Sequence, residues 1–254
     1  MEKVGEEWKK TWQSVRINYE REVEGAFIPC SDFVKILTKY VGEGGLILEA
    51  GCGYGVYCLY FNIIKGASCV GIDIVIEPLK ALKSYLRVTQ HKTHIIASDV
   101  TNVPFREGVF DIVTSFGVIE HFRHESEVVG SLNEASRVLR KGGFLILIIP
   151  NFAASFRNKL VIALSKGRFG MYHKPYTKSI LTNMFNAVNG LKIVEIGFTS
   201  FGFRQLIFGA SSHEKLIYFM YHATWRMLNF LVKIISGENY QDPIYIVAKR
   251  VTTQ

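Results

Sequence analysis

The sequence predicts an α/β protein: a doubly wound, seven-stranded, mostly parallel sheet with helices on both faces and helical cap insertions. Three observations predict it. Short, near-continuous apolar runs alternate with helical-period segments between residues 44 and 150, the pattern of strands covered on both faces. The stretch Leu48-Glu-Ala-Gly-Cys-Gly-Tyr-Gly55 joins one such run to an apolar helix. The acids Glu49, Asp73 and Asp99, and also Phe116, fall at carboxyl ends of predicted strands, where open parallel sheets bind ligands.

The elements follow in order. Trp8, Trp12, Val15 and Tyr19 form a helical stripe, and residues 31–40 form a second helix with Ser31 as N-cap. The first unit is strand Leu46–Ala50 and helix Val56–Lys65; the second is strand Ser68–Asp73 and helix Glu77–Gln90. Strand three is His94–Ala97. Strand four, Phe110–Ser115, leads to helix Val128–Arg140, and strand five, Phe144–Pro150, follows the turn Lys141-Gly-Gly143. Beyond residue 150 come a basic insertion, a helix Thr177–Val188 capped by Thr177, strand six from Leu191 to Gly197, an apolar helical stretch His213–Ile235, and strand seven, Pro243–Val251, expected as an antiparallel edge strand. The expected organisation is a single domain over 1–254. It has an N-terminal helical lid at 1–43, a cofactor-binding core at 44–150, caps at 151–176 and 204–241, and the rest of the core at 177–203 and 242–254.

The 254 residues are 48% hydrophobic, enough for a large core and against a disordered chain. A net charge of +8 favours acidic partners without choosing among nucleic acid, anionic membrane and phosphorylated substrates. The four cysteines, Cys30, Cys52, Cys58 and Cys69, have no metal-ligand spacing, nor do His91, His94, His121 and His124, so no metal is expected. Reduced thiols and the lack of an apolar leader in the first residues suit a cytoplasmic protein.

The glycine stretch has the spacing G-x-G-x-G rather than the G-x-G-x-x-G of dinucleotide sites. Gly51, Gly53 and Gly55 let a ligand approach the backbone, and the helix that follows aims free N–H groups at it. Glu49 at the strand end would repel a pyrophosphate and attract an ammonium or sulfonium. S-adenosylmethionine carries both. Asp73, one βαβ step on, is placed to accept from two ribose hydroxyls.

With those residues on the page, Leu48–Gly55, Val70–Ile74, Ala97–Val100 and Asp111–His121 resemble the successive motifs of class I S-adenosylmethionine-dependent methyltransferases, most closely the broad small-molecule and lipid group. The likeness covers about residues 44–150. It implies a Rossmann-like fold and S-adenosyl-L-methionine as cofactor. It also implies that Ile74 flanks the adenine, that Asp99 accepts from the adenine amine, that the Val100 N–H meets the ring, and that the Phe116 carbonyl meets the methionine ammonium. Asp111, which begins its strand, is expected to be structural. In similar proteins an N-terminal helix often covers the cofactor, so the Trp8 and Trp12 stripe is expected either as a lid or as core packing.

Methyl transfer is an in-line displacement that needs alignment and dryness, and a base only if the acceptor must lose a proton. His121 in Gly117-Val-Ile-Glu-His-Phe122 is the candidate catalytic base, with Glu120 serving the fold and His173 as a second candidate. The insertion carries Arg157, Lys159, Lys166, Arg168, Lys174 and Lys178 with no acid in 151–178, and the stretch 213–235 is apolar and aromatic. Together they suit a small-molecule or lipid-like acceptor with an anionic head, with peripheral membrane contact or a homodimer as further expectations. An RNA methyltransferase is the main alternative, encouraged by a pI near 9.2 but lacking the Asn/Asp-Pro-Pro-Tyr/Phe motif. A non-enzymatic binding module is disfavoured by the intact acids and glycines. A nicotinamide-dependent oxidoreductase is disfavoured by the loop spacing and Glu49.

Overall fold

The computed structural model describes residues 2–13, 17–19, 32–149, 174, 176–199 and 243–252. Helices α1 (Glu2–Gln13) and α2 (Asp32–Tyr40) come first, followed by β1 (Leu46–Ala50), α3 (Val56–Lys65), β2 (Ser68–Asp73), α4 (Ile76–Leu86), β3 (Thr93–Ala97) and β4 (Phe110–Phe116). A 3-10 turn at Ile119–His121, α5 (Glu125–Val138), β5 (Leu139–Ile149), α6 (Lys178–Asn186), β6 (Leu191–Phe198) and β7 (Ile244–Arg250) complete the described elements. The seven strands form one sheet in the order β3-β2-β1-β4-β5-β7-β6, with only β7 antiparallel to its neighbours. The order reverses between β1 and β4, and that crevice is where such sheets place ligands.

Strand alternation divides the core. Leu48, Val113, Leu145 and Leu147 face one side and pack with Leu132 of α5 and Phe185 of α6. Ile47, Cys69, Ile112, Ile146 and Ile148 face the other and pack with Leu37 of α2 and with Cys58 and Phe61 of α3. A third cluster places Tyr19, Tyr54, Leu59 and Leu82 together beneath α1 and α4. Fully burying Ile47, Leu48, Ile72, Ile146 and Ile148 contributes roughly 2 kcal/mol apiece before entropy is counted.

Several expected boundaries shift, each for a local reason. β7 is an interior strand between β5 and β6, with Ile246, Val247 and Ala248 covered on both faces, so the edge is β6 rather than β7. β5 begins at Leu139, which pairs with Phe110, and the glycine pair is a bulge inside the strand rather than a turn before it. Gly143 is required there because a Cβ would stand 2.7 Å from the Asp111 carbonyl oxygen. α5 starts three residues earlier than its first apolar residue because the Glu127 carboxylate reaches back to the His124 N–H at 3.0 Å. α4 stops at Leu86, where its last turn tightens and Val88 N donates to Tyr85 O. Thr177 caps α6 as expected, its hydroxyl oxygen accepting from Ile180 N at 3.2 Å.

Two polar ties fix the sheet's lower end and flank. Asp111 accepts from Leu46 N at 2.7 Å and pairs with Arg140, the structural role expected of it. On the other flank Glu195 of β6 accepts from Lys39, Tyr40 and Tyr245, which fastens α2 to the sheet. Val15, Ser31, Cys30, His173, most of the basic insertion and the apolar stretch 213–235 lie outside the described residues.

Candidate functional site

The glycine loop leaves β1 and is tied to the neighbouring strand. Gly51 N and Cys52 N both donate to Ile72 O, and Gly53 N donates to Asp73 Oδ2 at 2.8 Å. Gly51, Gly53 and Gly55 all have positive φ, which a residue with a Cβ would adopt only under strain. What stands over each glycine differs. A Cβ at Gly51 would meet Val118 at 2.4 Å, and one at Gly53 would meet the Trp12 ring at 2.9 Å. A Cβ at Gly55 would meet Leu82 at 2.3 Å, and Leu82 is fully buried. Gly51 and Gly53 therefore face the cleft, whereas Gly55 is the left-handed N-cap of α3 and lets α4 pack against it.

Both expected acids stand at the crevice. Glu49 is buried, and its Oε2 accepts from Cys58 N in the first turn of α3 at 2.9 Å. Burial pushes its pKa up to about 8; the Cys58 hydrogen bonds oppose this and the nearby Asp73 adds to it. Asp73 accepts from Gly53 N and, through Oδ1, from Val75 N at 2.8 Å. Burial raises its pKa too, against the backbone N–H groups of Val75, Gly53 and Ile74. Among the described residues no Lys or Arg forms an ion pair with either acid.

The remaining expected cofactor residues form the rim. Ile74 follows β2 with 45% of its surface exposed, an unusual place for an isoleucine unless a flat apolar ligand covers it. Asp99 folds into a local turn in which Oδ1 accepts from Thr101 N and from Thr101 Oγ1, both at 2.8 Å. Val100 lies behind it, half-buried, and lines an apolar cavity of about 20 Å³ with Ala50, Val118, Leu132 and Ala135. That volume is room for about one water, far less than a nucleoside needs. Phe116 ends β4 with its ring edge-on to Tyr57, centroids 4.8 Å apart.

Gly117 turns the chain out of β4 with φ of 71°. The 3-10 turn then buries Glu120 and His121 side by side, with His121 Nε2 3.8 Å from Glu120 Oε1. Lys174 N donates to Glu120 O at 2.7 Å and Tyr176 Oη donates to Ile119 O at 3.3 Å, so the chain returning from the insertion clamps this turn. Over the site lies α1. Trp8 stands edge-on to His121 with centroids 4.7 Å apart and stacks on Trp12, and Trp12 stands edge-on to Tyr54. Lys9 pairs with Glu77 of α4 at 3.5 Å. The stripe of Trp8 and Trp12 is thus a cover over the glycine loop. Val118 and Tyr176 carry no sequence signal for their places here, because ordinary apolar residues near a loop do not announce which glycine they will close.

The geometry fits a ligand that is cationic at one end and flat and apolar at the other. Among the described residues two buried carboxylates have no cation, Gly51 and Gly53 turn the loop at positive φ, and Ile74 offers an apolar face. Comparison with known proteins agrees. Residues 48–147 match the family described as "Methyltransferase domain". A protein of Methanocaldococcus jannaschii described as uncharacterized is 28% identical over 149 residues, covering 59% of this chain and 56% of that one. The tRNA (carboxymethyluridine(34)-5-O)-methyltransferase of Xenopus tropicalis is 32% identical over 119 residues, covering 46% of this chain and 17% of that one. The chain thus spans little more than half, and as little as a sixth, of the length of these relatives. Among solved structures, geranyl diphosphate C-methyltransferase from Streptomyces coelicolor, in complex with Mg2+, geranyl diphosphate and S-adenosyl-L-homocysteine, superposes with a TM-score of 0.61. Its identity is 15%, and the match covers 87% of this chain and 77% of that one. Residues 48–147 thus carry the methyltransferase-domain match on a seven-stranded, Rossmann-like α/β methyltransferase fold. A second structure of the same fold, Haemonchus contortus phosphoethanolamine N-methyltransferase 2 (15% identity, TM-score 0.61, covering 87% of this chain and 52% of that one), was solved in complex with S-adenosyl-L-methionine.

Proposed function

We propose that this protein transfers a methyl group by in-line displacement to a small-molecule or lipid-like acceptor. The observation that supports this is the burial of His121 in the 3-10 turn after β4 between the buried apolar residues Ile119 and Phe122, a setting suited to a compact, largely apolar acceptor. The structurally similar geranyl diphosphate C-methyltransferase binds an apolar chain with an anionic head, in keeping with an acceptor of that kind.

When bound, S-adenosylmethionine supplies an electrophilic methyl carbon on a sulfonium. Glu49 and Asp73 hold the cationic and ribose ends through charge and hydrogen bonds. Gly51 and Gly53 let the backbone close on the ligand. α1 keeps water out. The acceptor's lone pair would take that methyl carbon, with the carbon–sulfur electron pair left on sulfur. Where the acceptor is a hydroxyl or an ammonium, His121 Nε2 takes its proton, and the Glu120 carboxylate beside it favours the imidazolium that results.

The test uses methyl-labelled S-adenosylmethionine, the pure protein and cell extract divided into lipid, RNA, protein and small-molecule pools. Label is expected in the lipid or small-molecule pool and absent with Asp73→Ala. His121→Ala should lower turnover at saturating substrate about 10²-fold or more if it is the base, and unchanged turnover would exclude that role. A second reading, RNA methylation, is favoured by the tRNA-modifying relative and by Lys80, Lys83, Arg87 and Lys92, which are exposed on α4 and before β3 in a stretch, 78–98, that has no acid. Label in RNA, with binding that weakens steeply with salt, would establish it instead. The proposed setting is cytoplasmic and peripheral on membrane; loss of sedimentation with anionic vesicles would remove the membrane part.

A further inference from the structure

Trp8 and Trp12 stand at two places that catalysis needs open. Trp12 lies against Gly53, where a Cβ would be 2.9 and 3.0 Å from its ring atoms, so the ring fills the space that the glycine leaves for a ligand. Trp8 lies against His121, the candidate base. The two rings are stacked on α1 with centroids 5.5 Å apart. The ladder continues through Tyr54, Tyr19 and Tyr85, with Tyr19 stacked on Tyr85 at 4.5 Å, and Lys9 pairs with Glu77. Tyr54 Oη also donates to Trp12 O at 3.2 Å. α1 is therefore seated by side chains lying outside the crevice as well as within it. The apolar cavity beside Val118 and Ala50, at about 20 Å³, is too small for a nucleoside.

We infer that α1 is a plug as well as a cover: its docked state places Trp12 where the cofactor must approach Gly53 and Trp8 on His121, so the cofactor binds only after α1 shifts, and its arrival uncovers His121 for the acceptor. This rests on the cofactor site described above. It adds an order of events: cofactor first, acceptor second, through one helix that answers to both subsites. The apparent affinity of the cofactor is reduced by the fraction of molecules in which the plug is seated.

The experiment is calorimetric titration of the full chain with S-adenosyl-L-homocysteine. Trp12→Ala should tighten binding about three- to ten-fold if the plug is seated in most molecules. Lys9→Glu sets two acids against each other at the α4 seat without touching the crevice, and should tighten binding about two- to five-fold. In a Trp225→Phe background, which leaves Trp8 and Trp12 as fluorophores, saturating ligand should raise their quenching by acrylamide. Weaker binding by Trp12→Ala would make Trp12 a wall of the occupied site and overturn the plug while leaving the cofactor site intact. Unchanged affinity in both variants would also overturn it. No binding by the wild type would remove the cofactor reading and the plug with it. The thermal midpoint of each variant, with Lys9→Glu as the less disruptive change, separates a loss of fold from a loss of the plug.

Discussion

Two pairs of carboxylates in this molecule do the same local task in opposite electrostatic settings. At the carboxyl end of the sheet, Glu49 accepts from Cys58 N, and Asp73 accepts from Gly53 N and Val75 N. Away from the crevice, Asp111 accepts from Leu46 N and Glu134 from Val103 N. The second pair also has cations: Arg140 beside Asp111, and Arg137 on Glu134 at 2.7 and 2.8 Å. Burial raises the first pair's pKa values, helped at Glu49 by the nearby Asp73. For Glu134 the Arg137 hydrogen bond dominates and lowers it; for Asp111 burial is outweighed by Leu46 N and Arg140 together, again lowering it. Backbone N–H groups can be satisfied with or without a counter-cation. Among the described residues a cation is supplied at one place and none at the crevice, which leaves two acids that a cationic ligand can pair with.

The sharpest way to break this comparison is a crossed pair of substitutions. Glu49→Gln keeps an oxygen for Cys58 N and removes only the charge. Affinity for S-adenosylmethionine should fall about 10- to 100-fold, the size expected of a charge-assisted contact, while the melting temperature holds or rises. Arg137→Met strands Glu134 and frees the Phe105 and Val103 carbonyls it now binds. Stability should fall by about 1–3 kcal/mol, a few degrees of melting temperature for a chain this size, with cofactor affinity unchanged. Calorimetry and thermal unfolding on both variants check the crossing. Equal effects on both readouts would dissolve the distinction between the pairs.

pH sharpens the same contrast. Glu49 has its folded pKa raised from 4.5 to about 8. Between those values the native chain holds a proton that the unfolded chain has released, so Glu49's contribution to stability is present below about 4.5 and declines as pH rises toward 8. Asp111 and Glu134 run the other way: their lowered values give stability present above the ordinary carboxylate range and lost as pH falls through it. A cationic ligand favours ionised Glu49, so cofactor binding below pH 8 should release a proton and tighten with rising pH by at most about tenfold per unit, then level off. Titrations in buffers of different ionisation enthalpy measure that proton, and Glu49→Gln should abolish it.

The legibility of the sequence follows the same division. Strand-end acids and glycines were readable because their chemistry is written in residue type and spacing: Glu49, Gly51, Gly53 and Asp73 all stand at the crevice where the β-α-β order puts them. Gly55 has the same spacing, but its open side is taken by Leu82, a contact between two helices that no local pattern encodes. The interior position of β7 was equally hidden, since an antiparallel strand can pair at an edge or between two strands with one apolar sequence. The bulge at Gly143 read as a turn because a glycine pair has the same signature in both. The tryptophan stripe of α1 was legible as a helix, yet its partners His121 and Tyr54 are set by tertiary packing alone.

The smallest expected effect tests whether the 3-10 turn belongs with the crevice or with the structural end. Tyr176 is fully buried and spends its hydroxyl on Ile119 O, while Lys174 N holds Glu120 O, so the turn bearing His121 is fastened by the last residues of the insertion. Tyr176→Phe removes one hydrogen bond and keeps the ring. Stability should fall by about 0.5–1.5 kcal/mol. If the clamp positions His121, kcat should fall several-fold with the affinity for S-adenosyl-L-homocysteine unchanged, because the glycine loop and both acids lie on other elements. A loss of cofactor affinity of the same size would instead tie the turn to Gly51 through Val118, which rests on that glycine, and would make the two halves of the crevice a single mechanical unit.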